Sequence, residues 1–251
     1  MSVTIKSERE IELMREAGRI LAITHEELGK ALHEGMSTWE IDKLADEIIR
    51  SYGCIPSFLN YNGFPASICI SVNEEVVHGI PSKKRRIQDG DIVSLDAGVI
   101  WKGYHSDAAR THAVGSASKE AQELILRTKE SFFEGLKFCR AGNHLNDICS
   151  AIGAYAESFG YGVVRDLVGH GIGRKLHEEP EVPNFKMNHR GIKLVPGMTL
   201  AIEPMINMGR ADVIWLDDNW TVVTADRSIS AHYENTVLIT EGEPEILSIL
   251  S

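Results

Sequence analysis

Cysteine is scarce in this 251-residue chain, and what there is does not pair in sequence. Cys54, Cys69, Cys139 and Cys149 form no C-x-x-C, which argues against a structural zinc motif and against a disulfide framework. A reducing cytoplasm fits that usage. No apolar run approaches the roughly 20 residues that span a bilayer. The N-terminal stretch is charged throughout and is not a signal peptide, so no membrane association is expected. An excess of positive charge is also missing. Lys and Arg total 26 against 36 Asp and Glu, a net charge of −10 that argues against DNA binding. The single basic run, Lys83-Lys84-Arg85-Arg86, is read as a solvated loop, with transient ribosome contact as the alternative.

What is present is an ordinary globular composition, 43% hydrophobic and 25% charged. Ser7 and Glu10 have capping-box spacing before Ile11, Met14, Ala17, Gly18, Leu21 and Leu28, which predicts a long amphipathic helix to about Leu32. Ser37 or Thr38 caps a second helix ending near Gly53. Residues 118–138 and 143–159 read as two more helices. Strands are expected at 67–72, 163–168, 198–206 and 232–240, with a hairpin around Asp217-Asp218-Asn219 and an irregular stretch at 180–188.

The chain also resembles itself. A shift of 107 residues carries Gly35 onto Gly142, Ile41 onto Ile148, Gly53 onto Gly160, Gly90 onto Gly197 and Asp96 onto Glu203. This predicts one domain, 1–251, made of two pseudo-symmetric halves, roughly 1–115 and 116–251. The fold class is then α+β, helices packed on a curved antiparallel sheet about a pseudo-two-fold axis. No apolar helix face is left over for a partner, so a monomer is expected.

Residues 91–110 carry the chemistry. Two extended runs lead to Asp96 and Asp107, and a hairpin is expected to set these two carboxylates opposite each other. Carboxylates that close need a proton or a cation between them. The axis brings in Glu203, an acid after Leu200-Ala201-Ile202, and Glu234 follows as the counterpart of Asp107. With His170 these form an oxygen-rich donor set suited to Mn²⁺, Fe²⁺, Co²⁺ or Zn²⁺. Five such side chains suffice for two divalent metal ions ~3.5–4 Å apart, which points to metal-assisted hydrolysis.

Asp96, its spacing to Asp107, Gly169-His170-Gly171, Ile202-Glu203-Pro204 and Glu234-Asn235-Thr236 together resemble the dinuclear-metal pita-bread peptidases. The segment from Cys69 to Pro81, His177-Glu178-Glu179-Pro180 and Trp220-Thr221 make the chain similar over its full length to type I methionine aminopeptidases. The resemblance implies release of the initiator methionine from nascent polypeptides with a small second residue. It implies that Asp96 and Asp107 hold one ion and His170, Glu203 and Glu234 the other, with Asp107 and Glu234 bridging. Glu203 would act as general base, His177 would stabilise the tetrahedral intermediate, and His78 would hold substrate or pass a proton to the leaving amine. Tyr61, Phe64, Cys69, His78, His177 and Trp220 would bind substrate. A structural monovalent cation (Na⁺ or K⁺) would map onto Asn73, Glu75 and Ser230.

Two positions depart from that pattern: Leu176 where an aromatic is frequent, and His232 where a glutamine is frequent. The resemblance implies the minimal bacterial form, with no zinc-finger extension, no extra N-terminal domain and no type II insertion. Cleavage of Xaa–Pro bonds by the same fold, and a metal-free binding protein, are the readings to be weighed against it.

Overall fold

The computed structural model describes residues 3–250. Four helices carry the scaffold. In α1 (Glu8–Ala31) the Ser7 N–H donates to Glu10 Oε2 at 2.9 Å, and all six expected apolar positions are buried. In α2 (Thr38–Ser51) Ser37 is the cap, its N–H donating to Glu40 Oε2 at 2.7 Å. Ser118 caps α3 (Lys119–Leu136) by accepting the Ala121 N–H at 3.1 Å. In α4 (Leu145–Ser158) the cap is His144, whose N–H donates to Asp147 Oδ2 at 2.8 Å. These bonds satisfy backbone groups that a helix start otherwise leaves unpaired.

The helices cover one large antiparallel sheet. Its main path runs Ile55–Pro56, Ile92–Trp101, Tyr104–Ala113, Glu234–Leu238, Thr199–Ile202, Gly169–Gly171, Glu178–Val182. Ile68–Val72 adds to the second of these strands. Ile20, Leu21, Ile41 and Ile49 of α1 and α2 join Ile70, Val93, Leu95 and Val99 in one core. Phe132, Ile148 and Ile152 of α3 and α4 join Leu200, Ile202 and Val237 in the other.

The 107-residue interval recurs in the backbone. Gly35 N–H donates to Ile87 O and Gly142 N–H to Leu194 O; Ser37 bridges Arg86 and His144 bridges Lys193. Gly35 and Gly142 have φ of 91° and 95°, and Gly90 and Gly197 have 90° and 86°, where a side chain would be strained. The fold is α+β, helices packed on a large antiparallel sheet, with the same backbone contacts recurring in its two halves.

Five details differ from expectation. The hairpin turns at Lys102-Gly103, both at positive φ, so Trp101 pairs with Tyr104 and Asp96 lies opposite Ala109 rather than Asp107. The slip is two residues, an even number, so both aspartates still face the same side. The start of the stretch expected to be irregular, 180–182, belongs to the strand Glu178–Val182. The strand expected at 198–206 is broken into Thr199–Ile202 and Met205–Asn207 by Glu203-Pro204, and that at 232–240 into Ser230–His232 and Glu234–Leu238 at Tyr233. The run 163–168 yields only Gly162–Val163, with Gly169–Gly171 as the next strand.

Candidate metal centre

Sheet register explains why the acids converge. Asp96 pairs with Ala109, and Ala109 pairs in turn with Glu234. Asn235 pairs with Ile202, and Ala201 with His170. Side chains alternate along each strand, so Asp96, Asp107, Glu234 and His170 share one face, and Glu203 continues the row beyond Ile202. The structure therefore brings all five expected donors to one basin.

The basin is buried and strongly acidic. Asp107, His170 and Glu234 are 4%, 7% and 2% exposed. His170 Nε2 lies 3.9 Å from Asp107 Oδ2 and 3.7 Å from Glu203 Oε1. Its Nδ1 is 2.9 Å from Gly171 O, so that nitrogen carries the proton and Nε2 presents a lone pair. Burial pushes the Asp96 carboxyl up to about 7. Burial, reinforced by Asp96, pushes Asp107 well above the carboxylate range. Glu203 and Glu234 are driven up the same way, by burial first and then by the neighbouring acids. Burial and His177 hold His170 down at about 3.

These residues fit a pair of divalent ions. Oδ1 of Asp96, Oδ1 of Asp107 and Oε1 of Glu234 are buried without a hydrogen-bond partner. Buried polar atoms rarely lack one unless something else binds them. Two donor groups have ligand atoms within 4.8 Å of one another: Asp107, His170 and Glu234, and Glu203, His232 and Glu234. Asp96 falls in neither group, though it lines the same cavity. His232 was not among the expected ligands. Its only signal in the sequence is its place two residues before Glu234, together with its departure from glutamine.

A cavity of about 300 Å³ opens onto the donors. Tyr61, Phe64, Cys69, His78, His177 and Trp220 all line it. Phe64 and Trp220 meet edge to face at 5.1 Å, and His78 meets Trp220 at 6.3 Å. Tyr61 Oη is 2.7 Å from His177 Nδ1, and the His177 ring lies 4.2 Å from that of His170. Leu176, 2% exposed, fills part of the wall. Met205 and Val168 also line the cavity and were not anticipated. Burial lowers His78 to about 4 and also lowers His177.

Outside the basin, Asn73 and Ser230 come together, the Ser230 N–H donating to Asn73 O at 2.9 Å. Glu75 instead turns its carboxylate to the Val72 N–H at 2.8 Å. In the basic run Lys83 lies over the Trp39 ring at 4.5 Å, and Arg86 donates to Gly35 O.

Residues 12–241 match the model of metallopeptidase family M24. The chain is 56% identical over 247 residues to the methionine aminopeptidase of Clostridium acetobutylicum, covering 98% of this chain and 99% of that one. The crystal structure of methionine aminopeptidase from Thermotoga maritima superposes with a TM-score of 0.97 at 42% identity, over 99% of this chain and all of that one. That from Rickettsia prowazekii gives 0.96 at 39% identity, with the same coverage. With this donor set, this fold and these relatives, the chain belongs to metallopeptidase family M24 and, within it, to the bacterial type I methionine aminopeptidases.

Proposed function

We infer that the protein hydrolyses the first peptide bond of protein N-termini and releases the initiator methionine. The observation that carries this is the union of two features in one cavity: buried carboxylates without partners and an aromatic pocket beside them. Asp96 and Asp107 would hold one divalent ion, and His170, Glu203 and Glu234 would hold the second. Mn²⁺, Fe²⁺, Co²⁺ and Zn²⁺ all suit this donor set. Divalent ions bound there supply Lewis acidity toward the scissile carbonyl and toward water.

The chain's own residues do the rest. Glu203 takes the proton of the attacking water as general base. With the Tyr61 hydroxyl as donor to His177 Nδ1, 2.7 Å away, the N–H of His177 would sit on Nε2. That N–H is then the donor for the carbonyl oxygen as negative charge develops there. His78, neutral through its lowered pKa, holds the substrate amide and can pass a proton to the leaving amine. The methionine side chain lies among Tyr61, Phe64, Cys69 and Trp220, where sulfur–aromatic contact and apolar burial favour a flexible thioether. A small second residue completes the preference.

The chain acts as one catalytic domain of two halves, a monomer working in the cytoplasm on nascent polypeptides. Lys83–Arg86 is the surface for any ribosome contact. A Na⁺ or K⁺ ion at Asn73 and Ser230 has a structural role. No described helix is long and apolar enough to cross a membrane.

The test is chelation followed by add-back of Mn²⁺, Co²⁺, Fe²⁺ or Zn²⁺ singly, with Met-Ala-Ser, Leu-Ala-Ser and Ala-Pro-Ala as substrates. Metal-restored cleavage of the methionine peptide alone is the expected result. Cleavage of Ala-Pro-Ala alone would replace the substrate assignment with an Xaa–Pro one. Inactivity with every ion, in folded protein, would remove the catalytic reading.

A further inference from the structure

One side chain in the basin has no part in that scheme. His232 is 1% exposed, and neither of its ring nitrogens has a hydrogen-bond partner. Its backbone is clamped by Thr111: the His232 N–H donates to Thr111 Oγ1 at 2.9 Å, and that hydroxyl donates back to His232 O at 2.9 Å. The residue is thus held firmly while its imidazole is left with nothing to bind. A neutral imidazole always has one N–H and one lone pair to satisfy, and leaving both unpaired in a dry interior is rare.

The ring points at two acids. His232 Nε2 lies 3.7 Å from Glu203 Oε2 and 4.0 Å from Glu234 Oε2. These gaps are too wide for hydrogen bonds. They suit donors arranged around one first-row ion, whose bonds of about 2.0–2.2 Å set donor atoms ~3–4 Å apart. Glu203, His232 and Glu234 form one of the two donor groups of the basin. His232 is not among the residues lining the cavity, so it has no direct contact to offer a substrate there.

We propose that His232 is a metal ligand, giving Nε2 to an ion held with Glu203 and Glu234. The proposal rests on reading the basin as a dinuclear metal centre. The two histidines are not equivalent. His170 has its tautomer set by Gly171 O, whereas nothing in the chain sets that of His232, and the ion itself selects it. An imidazole nitrogen biases that position toward Co²⁺ and Zn²⁺ over Mn²⁺.

The experiment is X-ray absorption at the metal edge of protein loaded with two equivalents of Co²⁺ or Zn²⁺, which counts imidazoles per ion. Wild type is expected to show about one imidazole per ion, and His232→Gln about half that, if each histidine supplies one nitrogen. Competition with a chromophoric chelator should show one of the two ions held about tenfold more weakly in His232→Gln. The wild-type count needs no variant, so a variant that fails to fold does not rescue the idea. Two bound ions with about half an imidazole each in wild type, or a count unchanged in folded His232→Gln, would overturn the proposal and leave the dinuclear reading intact. Folded protein that takes up no divalent ion would overturn both.

Discussion

The two walls of the basin are built in different ways. One wall carries Asp96 and Asp107 on strands of 10 residues each, joined by a tight turn and unbroken. The other carries His170, His232 and Glu234 on strands of 3 to 5 residues, with Glu203 in the break at Glu203-Pro204 and a second break at Tyr233. A regular strand can only repeat its side chains every second residue on a face. A broken one can draw donors from two sheets. His232 pairs with Met205 in a separate three-stranded sheet, while Glu234 pairs with Ala109 in the main one. The carboxylate wall therefore comes from regular geometry, and the nitrogen-bearing wall from interruptions of it.

The comparison breaks most sharply at Glu203. If the interrupted wall supplies the base, Glu203→Gln lowers kcat on Met-Ala-Ser by about 10³-fold or more, within the range of general-base contributions. The variant should remain folded by circular dichroism. Retention of a tenth of the activity would move the base to the other wall. His177, on the same side of the cavity, comes next. His177→Ala should cost about 10²-fold in kcat with little change in KM, as for loss of one donor to developing charge. Tyr61→Phe, which removes only the group that sets the tautomer, should cost less than His177→Ala.

Packing sharpens the contrast. A Cβ at Gly171 would sit 2.2 Å from Glu179 O, a backbone atom with no freedom to retreat. A Cβ at Gly98, on the regular wall, would meet Ser57 Cβ and Phe58 Cε1 at 2.8 and 2.9 Å, a milder overlap. Gly171→Ala should therefore destabilise by about 1–3 kcal/mol, the usual range for overpacking, and Gly98→Ala by less. Urea unfolding of the two variants decides it; equal losses would mean that the walls yield equally.

The same difference governs what was legible in the sequence. The caps at Ser7 and Ser37 and the apolar stripe of α1 could be read directly, because they depend on residues within one or two turns. The four acids and His170 were legible as a set because alternation in a strand survives an even slip of register. The register itself was not. It depends on Lys102 taking φ of 48°, which a non-glycine residue seldom does. The strand Glu178–Val182 was hidden by Pro180, a residue that removes a ladder donor. It is tolerated because this strand lies at the end of the sheet path. His232 as a donor needed the bend at Tyr233, and nothing local announces that bend.

Charge on the regular wall offers the smallest effect and the one most sensitive to pH. The Asp96 carboxyl, raised by burial to about 7 from 3.8, binds its proton more tightly folded than unfolded. Above pH 7 the folded protein without metal must hold it ionised, at a cost in stability; as pH falls toward 3.8 that cost disappears. Asn mimics the protonated form. In chelator, Asp96→Asn should therefore melt on the order of 3 °C higher than wild type at pH 8 and level with it near pH 4. Comparing the two proteins cancels the opposite trend of the buried histidines, whose neutral forms are lost as pH falls. With divalent ions present the sign at pH 8 should reverse, because Asp96 then has a cation to bind and Asn does not. An advantage for Asp96→Asn that persists at pH 4, or that survives metal addition, would mean that the carboxylate is not a charged group waiting for an ion.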